Sequence, residues 1–261
     1  MQILVEPAGD SDGLFCQEET MMYTVLFISV MMFVASFIGT VTGFGTGTIM
    51  MPIVLLFMPI PEALLLVSVV HWWNNIWRML FFHTGINLRF CLLFGIPGVA
   101  LSIVGAFLTI ALPSELFLKI FGLVLLCYLF IIIVNPALKL KAQAMTAIIG
   151  GACSGLMAGM IGIQGAVRSF FLSAFDLPKE VYIATGALIA LLIDTARIGT
   201  YLAAGVRFTP PLFGAVALAI PITLLGAYMG AKMVDHIPQY YFRFVVVGAL
   251  ALIGLKFLLF T

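Results

Sequence analysis

Three arginines, one aspartate and one histidine stand inside long apolar runs of this 261-residue chain: Arg78, Arg168, Arg197, Asp194 and His71. Their spacing is informative. Ser68, His71, Asn74, Asn75 and Arg78 fall at i, i+3, i+6, i+7 and i+10, which gathers them on one face of a helix. Asp194, Arg197 and Tyr201 fall at i, i+3 and i+7 in another run, and Asn75 and Arg78 align with Asp194 and Arg197. A charge at membrane depth costs about 3 kcal/mol on insertion scales and faces a cavity or another polar group. A guanidinium, imidazole and carboxylate set can bind an anion, move a proton, or act as acid and base. The last needs a nucleophile at motif spacing, which does not accompany His71 and Asp194, so neither an enzyme nor a catalytic residue is expected. Plainer readings exist for each: Arg78 snorkelling from a helix end, and Asp194–Arg197 as a pair that only ties helices together.

Two glycine-rich breaks supply what such a site needs. "IGTVTGFGTGTIMMP" (residues 38–52) places Gly39, Gly43, Gly45 and Gly47 inside an apolar run, and "GLMAGMIGIQG" (155–165) does the same with Gly155, Gly159, Gly162 and Gly165. A fresh short helix is expected after each, starting near Thr46 or Gly47 and near Gln164 or Gly165. Its first N–H groups have no intrahelical partner and the macrodipole is positive there, so such an end attracts anions. Thr46, Thr48 and Gln164 add side-chain hydrogen bonds, and Arg168 sits one turn into the second short helix. Close helix packing is the alternative for Gly39, Gly43, Gly155 and Gly159. The candidate substrate-binding set is thus Gly43, Gly45, Thr46, Gly47, Thr48, His71, Asn74, Asn75, Arg78, Gly162, Gln164, Gly165, Arg168 and Arg197, with Asp194 and His71 as candidate proton carriers.

The elements that must carry these residues follow from composition. With 63% apolar and 9% charged residues, against about 25% charged in ordinary globular domains, this is a membrane protein. Apolar segments run over 21–38, 47–60, 63–82, 89–112, 115–134, 145–159, 165–175, 180–204, 209–233 and 238–260, and helices are expected because lipid offers the backbone no partners. The net charge of +1 suggests no nucleic-acid partner. Cys16, Cys91, Cys127 and Cys153 are scattered, so no disulfide framework or metal site is read. No cofactor is expected, and the absence of a P-loop argues against an ATP-driven pump.

The pattern repeats. "IPEA" (60–63) answers "LPKE" (177–180), "GIN" at Gly85 answers "GVR" at Gly205, and "GAFLTIALP" (105–113) answers "GAKMVDHIP" (230–238), in the order of the glycine breaks and arginines. The organisation read from this is an acidic N-terminal tail (1–20), a first repeat (21–134), a cytoplasmic linker (135–144) and a second repeat (145–261). The fold class is an all-α polytopic membrane protein of two inverted-topology repeats, each a Gly-broken helical hairpin plus three transmembrane helices. An odd number of crossings per repeat inverts the copy. Arg78, Arg89, Lys139, Lys141, Lys179, Lys232 and Arg243 against Lys119, Arg207 and Lys256 place both termini outside. Whether each broken element is re-entrant or crosses twice stays open.

The doubled glycine-rich break, the "P-E-A" step after it and the polar third segment resemble the sulfite exporter TauE/SafE family of membrane permeases. The likeness covers about Met21 to Phe260 and includes Gly43, Gly45, Gly47 and Pro52; "GIQGAVRSF" lacks the second proline. The resemblance implies a secondary transporter that exports sulfite or small organosulfur and sulfonate anions across the bacterial inner membrane. Alternating access around a midplane site is the expected mechanism; an anion channel or a carrier of small carboxylates is the alternative. The expected partners are a sulfur oxyanion and the lipid bilayer, with a second copy in a homodimer left open.

Overall fold

A computed structural model describes residues 11–42, 45–82, 85–134, 141–208, 210–233, 255 and 258–259. Gly43, linker residues 135–140 and nearly all of segment 238–260 lie outside the described residues. Among those described the chain is helical throughout: α1 (Ser11–Thr42), α2 (Thr46–Val54), α3 (Ile60–Phe81), α4 (Leu88–Ala111), α5 (Ser114–Val134), α6 (Ala144–Ile161), α7 (Gly165–Leu172), α8 (Lys179–Ala203) and α9 (Pro210–Met233). One 3₁₀ turn, Ser173–Phe175, extends α7. Helix α1 already begins at Ser11, so residues 11–20 of the acidic stretch are helical.

Local chemistry sets the helix ends. Pro59 and Pro178 immediately precede α3 and α8, where a missing N–H costs nothing, and Glu62 and Glu180 favour the positive first turns. The Asn87 side chain accepts from Phe90 N at 3.0 Å and caps α4. Helix α8 stops in a Schellman turn, with Val206 N donating to Tyr201 O at 3.0 Å and Gly205 at φ +89° supplying the left-handed residue.

Helices α4, α6, α8 and α9 each hold a stretch long and apolar enough to cross a bilayer. Leu92, Ile96 and Phe107 on α4 and Phe213 and Leu225 on α9 are exposed, while Arg78, Arg168, Asp194 and Arg197 are buried. Apolar outside and charged inside is the arrangement a lipid solvent demands. By contrast α2 and α7, with 9 and 8 residues, reach only about 13 Å and cannot span ~30 Å of hydrocarbon alone.

Each short helix folds back against the helix before it. A Cβ on Gly39 of α1 would lie 2.8 Å from Thr46 N, and Ser154 of α6 donates to Gln164 O at 3.2 Å. The two hairpins α1–α2 and α6–α7 then meet at their tips: a Cβ on Gly47 would lie 2.8 Å from Gly162 O, and one on Gly45 would lie 3.5 Å from Gly165 Cα. Around them, α3 packs against α8, α4 along α6 and α1 along α9.

The α4–α6 seam assigns Gly155 and Gly159 of the second glycine-rich break to packing, together with Gly151. Cβ atoms on Gly151, Gly155 and Gly159 would lie 2.0, 1.9 and 2.0 Å from the carbonyl oxygens of Phe94, Gly98 and Ser102. Four-residue steps with the same sense on both helices mean that α4 and α6 run parallel in small-xxx-small contact. Gly155→Ala is therefore expected to force the helices apart and cost about 1–3 kcal/mol, as overpacking does. Thermal unfolding in detergent reads this, and an unchanged midpoint would contradict the seam.

Candidate anion site between two broken helices

The polar stripes of α3 and α8 face each other, and Asp194 is the hub. His71 Nδ1 lies 2.7 Å from Asp194 Oδ2; since a carboxylate only accepts, the ring carries its hydrogen on Nδ1. Asp194 Oδ1 accepts from Arg197 Nε at 2.8 Å and from Gln164 Nε2 at 2.6 Å. Three elements are thereby joined: α3, α8 and the second glycine break. Arg197 also donates through Nη1 to Ala158 O at 3.0 Å, while Tyr201 OH donates to Gly159 O, so the last turn of α6 is held by the same stripe.

The first break completes the cluster. Gly45 adopts φ +84° beside His71, and a Cβ there would lie 2.6 Å from Nε2. Only glycine combines that backbone conformation with that approach. Asn75 donates to His71 O at 2.7 Å, and Arg78 Nη1 donates to Asn75 Oδ1 at 3.3 Å, so the chain of polar contacts continues along α3. Arg78 is 1% exposed, which excludes snorkelling: the side chain turns inward.

Not every expected residue gathers here. Asn74 donates to Ser36 Oγ instead, which donates to Thr223 O at 2.9 Å, forming a separate α1–α3–α9 cluster. Trp77 joins it through Thr223 Oγ1 at 3.2 Å, and Trp72 donates to Thr195 Oγ1 at 3.0 Å, so both indoles link helices. Thr48 is buried in α2. Ser36, Thr40 and Thr223 were not singled out from the sequence, although hydroxyls in such apolar helices are the signal that marks them.

The electrostatics are lopsided. Among the described residues the buried full charges are Arg78, Arg168, Arg197 and Asp194, an excess of two positive charges with His71 neutral. Arg168 Nη1 and Nη2, Arg197 Nη2, Arg78 Nε and Thr46 Oγ1 are all buried without a hydrogen-bond partner among the described residues. Leaving a buried donor unpaired costs about 1–3 kcal/mol, and more when it is charged. Arg168 and Thr46 lie in the first turns of α7 and α2, where unpaired backbone N–H groups and the positive ends of two dipoles add to the same field. What this arrangement can do chemically is accept negatively charged oxygen atoms.

A family model described as sulfite exporter TauE/SafE matches residues 28–257, from within α1 to beyond α9. No curated protein and no solved structure matches the chain. Several long apolar helices, a charged interior and a family match over nearly the whole length agree: the chain belongs to the sulfite exporter TauE/SafE family of multi-pass membrane transporters.

Proposed function

We propose that this protein exports sulfite or a small sulfonate across the bacterial inner membrane, binding it between the two hairpin tips. The observation that carries the proposal is Arg168: a guanidinium 1% exposed, both terminal nitrogens unpartnered, set in the first turn of a half-helix. Broken helices whose N-termini point at an anionic substrate are a recurring device of secondary transporters. Thr46 faces the task from the other tip and Arg197 contributes its free Nη2, while Gln164 and His71 hold Asp194 and keep Arg197 oriented.

Internal symmetry supports alternating access. The packing of α4 along α6 is matched by that of α9 along α1, and α3 packs on α8. Gly85 and Gly205, equivalent in the two repeats, share φ +89°. Two parallel pairs support reading the second repeat as inverted: Gly155 and Gly159 of α6 step along Gly98 and Ser102 of α4, and Gly226 and Gly230 of α9 step along Phe33 and Phe37 of α1. Rocking the repeats about the tips opens the site to one side at a time, with both termini outside. Asp194 and His71, linked through one hydrogen bond, are the pair that carries a coupling proton.

Purified protein in proteoliposomes tests this. Saturable sulfite countertransport is the expected result, and unitary currents or no anion flux would overturn it. Gly45→Ala, which strains the tip and displaces His71, is expected to lower anion affinity about tenfold, or ~1.4 kcal/mol. Equilibrium binding checks it, and wild-type affinity would place the anion away from the first tip.

A further inference from the structure

We infer that the cargo is a dianion. This rests on the anion-site reading and adds to it the charge that the site is built to neutralise. Asp194 is fully engaged: Oδ2 takes His71, and Oδ1 takes Gln164 and Arg197 Nε at 2.8 Å, so its single negative charge is matched by Arg197. Two guanidiniums then remain without a counter-charge among the described residues, Arg78 and Arg168, both 1% exposed. Both reach the region between α3, α7 and α8: Arg78 Nη1 donates to Asn75 Oδ1 at 3.3 Å, a Cβ on Gly186 of α8 would lie 3.4 Å from Arg168 Nε, and Tyr182 OH donates to Ser169 O, next to Arg168, at 3.3 Å.

Like charges held together out of water repel, and each carries a desolvation penalty that an isolated partner charge offsets only once. A monoanion leaves one guanidinium still bare; a dianion answers both. Geometry agrees with the count. Arg168 offers two terminal nitrogens without partners and Arg78 its Nε, so the donors form a fork and a separate point rather than one ring. A planar fork grips two oxygens of one oxyanion group in a bidentate pair. The remaining donor suits a further oxygen of the same doubly charged group, or a second anionic group on a short carbon chain.

The test compares matched ligands that differ in charge: sulfate against methyl sulfate, and sulfoacetate against sulfoacetamide, each titrated into wild-type and Arg78→Gln protein in detergent at constant ionic strength. In the pair that binds, the dianion is expected at least tenfold tighter to wild type. Arg78→Gln is expected to remove most of that preference, because it weakens the dianion several-fold more than the monoanion. Equal or tighter binding of the monoanion to wild type overturns the dianion assignment while leaving the anion site intact. Binding of none of the four, with sulfite also failing to bind, overturns the anion site itself, and this inference with it. An Arg78→Gln protein that keeps the full preference removes Arg78 from the charge count and overturns the assignment.

Discussion

Replacing Arg168 by methionine is expected to raise the thermal stability of the purified protein and to lower its anion affinity about a hundredfold. The two effects have one origin. Arg168 is buried with both terminal nitrogens unpartnered, so its charge is a standing cost to the fold. Substituting buried charged groups by apolar residues of similar volume is neutral or stabilising, by roughly 1–4 kcal/mol. Hydrogen bonds to charged groups contribute about 1.5–3 kcal/mol each, so losing the fork removes around 3 kcal/mol of binding, or two orders of magnitude. Thermal unfolding and titration calorimetry on the same preparation read both. An arginine retained only for structure would show the opposite pattern, with lower stability and unchanged affinity.

Asp194→Ala is expected to be among the most destabilising single changes in the chain. It strips the acceptor from Arg197 Nε, Gln164 Nε2 and His71 Nδ1 together, and it leaves a third buried guanidinium without its counter-charge. Breaking a buried ion pair by removing one partner costs about 3–5 kcal/mol. Asp194→Asn keeps the shape and one acceptor oxygen and is expected to lose less. Denaturation in detergent gives the ranking. A stable Asp194→Ala protein would show that α3, α8 and the second break are held together by something other than this carboxylate.

Much of this arrangement was legible in the chain. Apolar segments at 89–112, 115–134, 180–204 and 209–233 lie within a residue or so of α4, α5, α8 and α9, because lipid-spanning helices announce themselves by length and by the residues that end them. Periodicity also placed His71, Asn75 and Arg78 on one face of α3 and Asp194 with Arg197 on one face of α8. Periodicity names a face but not its partner, however. That Gln164 spends its amide nitrogen on Asp194, leaving its oxygen unpartnered, depends on how α7 folds back on α6, which no local pattern encodes. Asn74 illustrates the same limit: one position from Asn75, it turns to Ser36 on α1. The hydroxyls of Thr40 and Thr223 are a weak signal because each also bonds a carbonyl four residues earlier, which lets a threonine sit in an apolar helix without any other polar partner. Gly155 fits both a break and a packing contact by sequence alone, and it is the backbone of α4 against it that makes it a packing residue.

The central claim is that an anion sits between the two hairpin tips on Arg168. A structure determined with selenate, whose selenium scatters anomalously, locates the ion without assumption about its ligands. The account predicts an anomalous peak within hydrogen-bonding reach of the Arg168 guanidinium and of the Thr46 hydroxyl. A peak confined to the membrane surface, or one inside the protein with Arg168 facing away from it, would contradict the account.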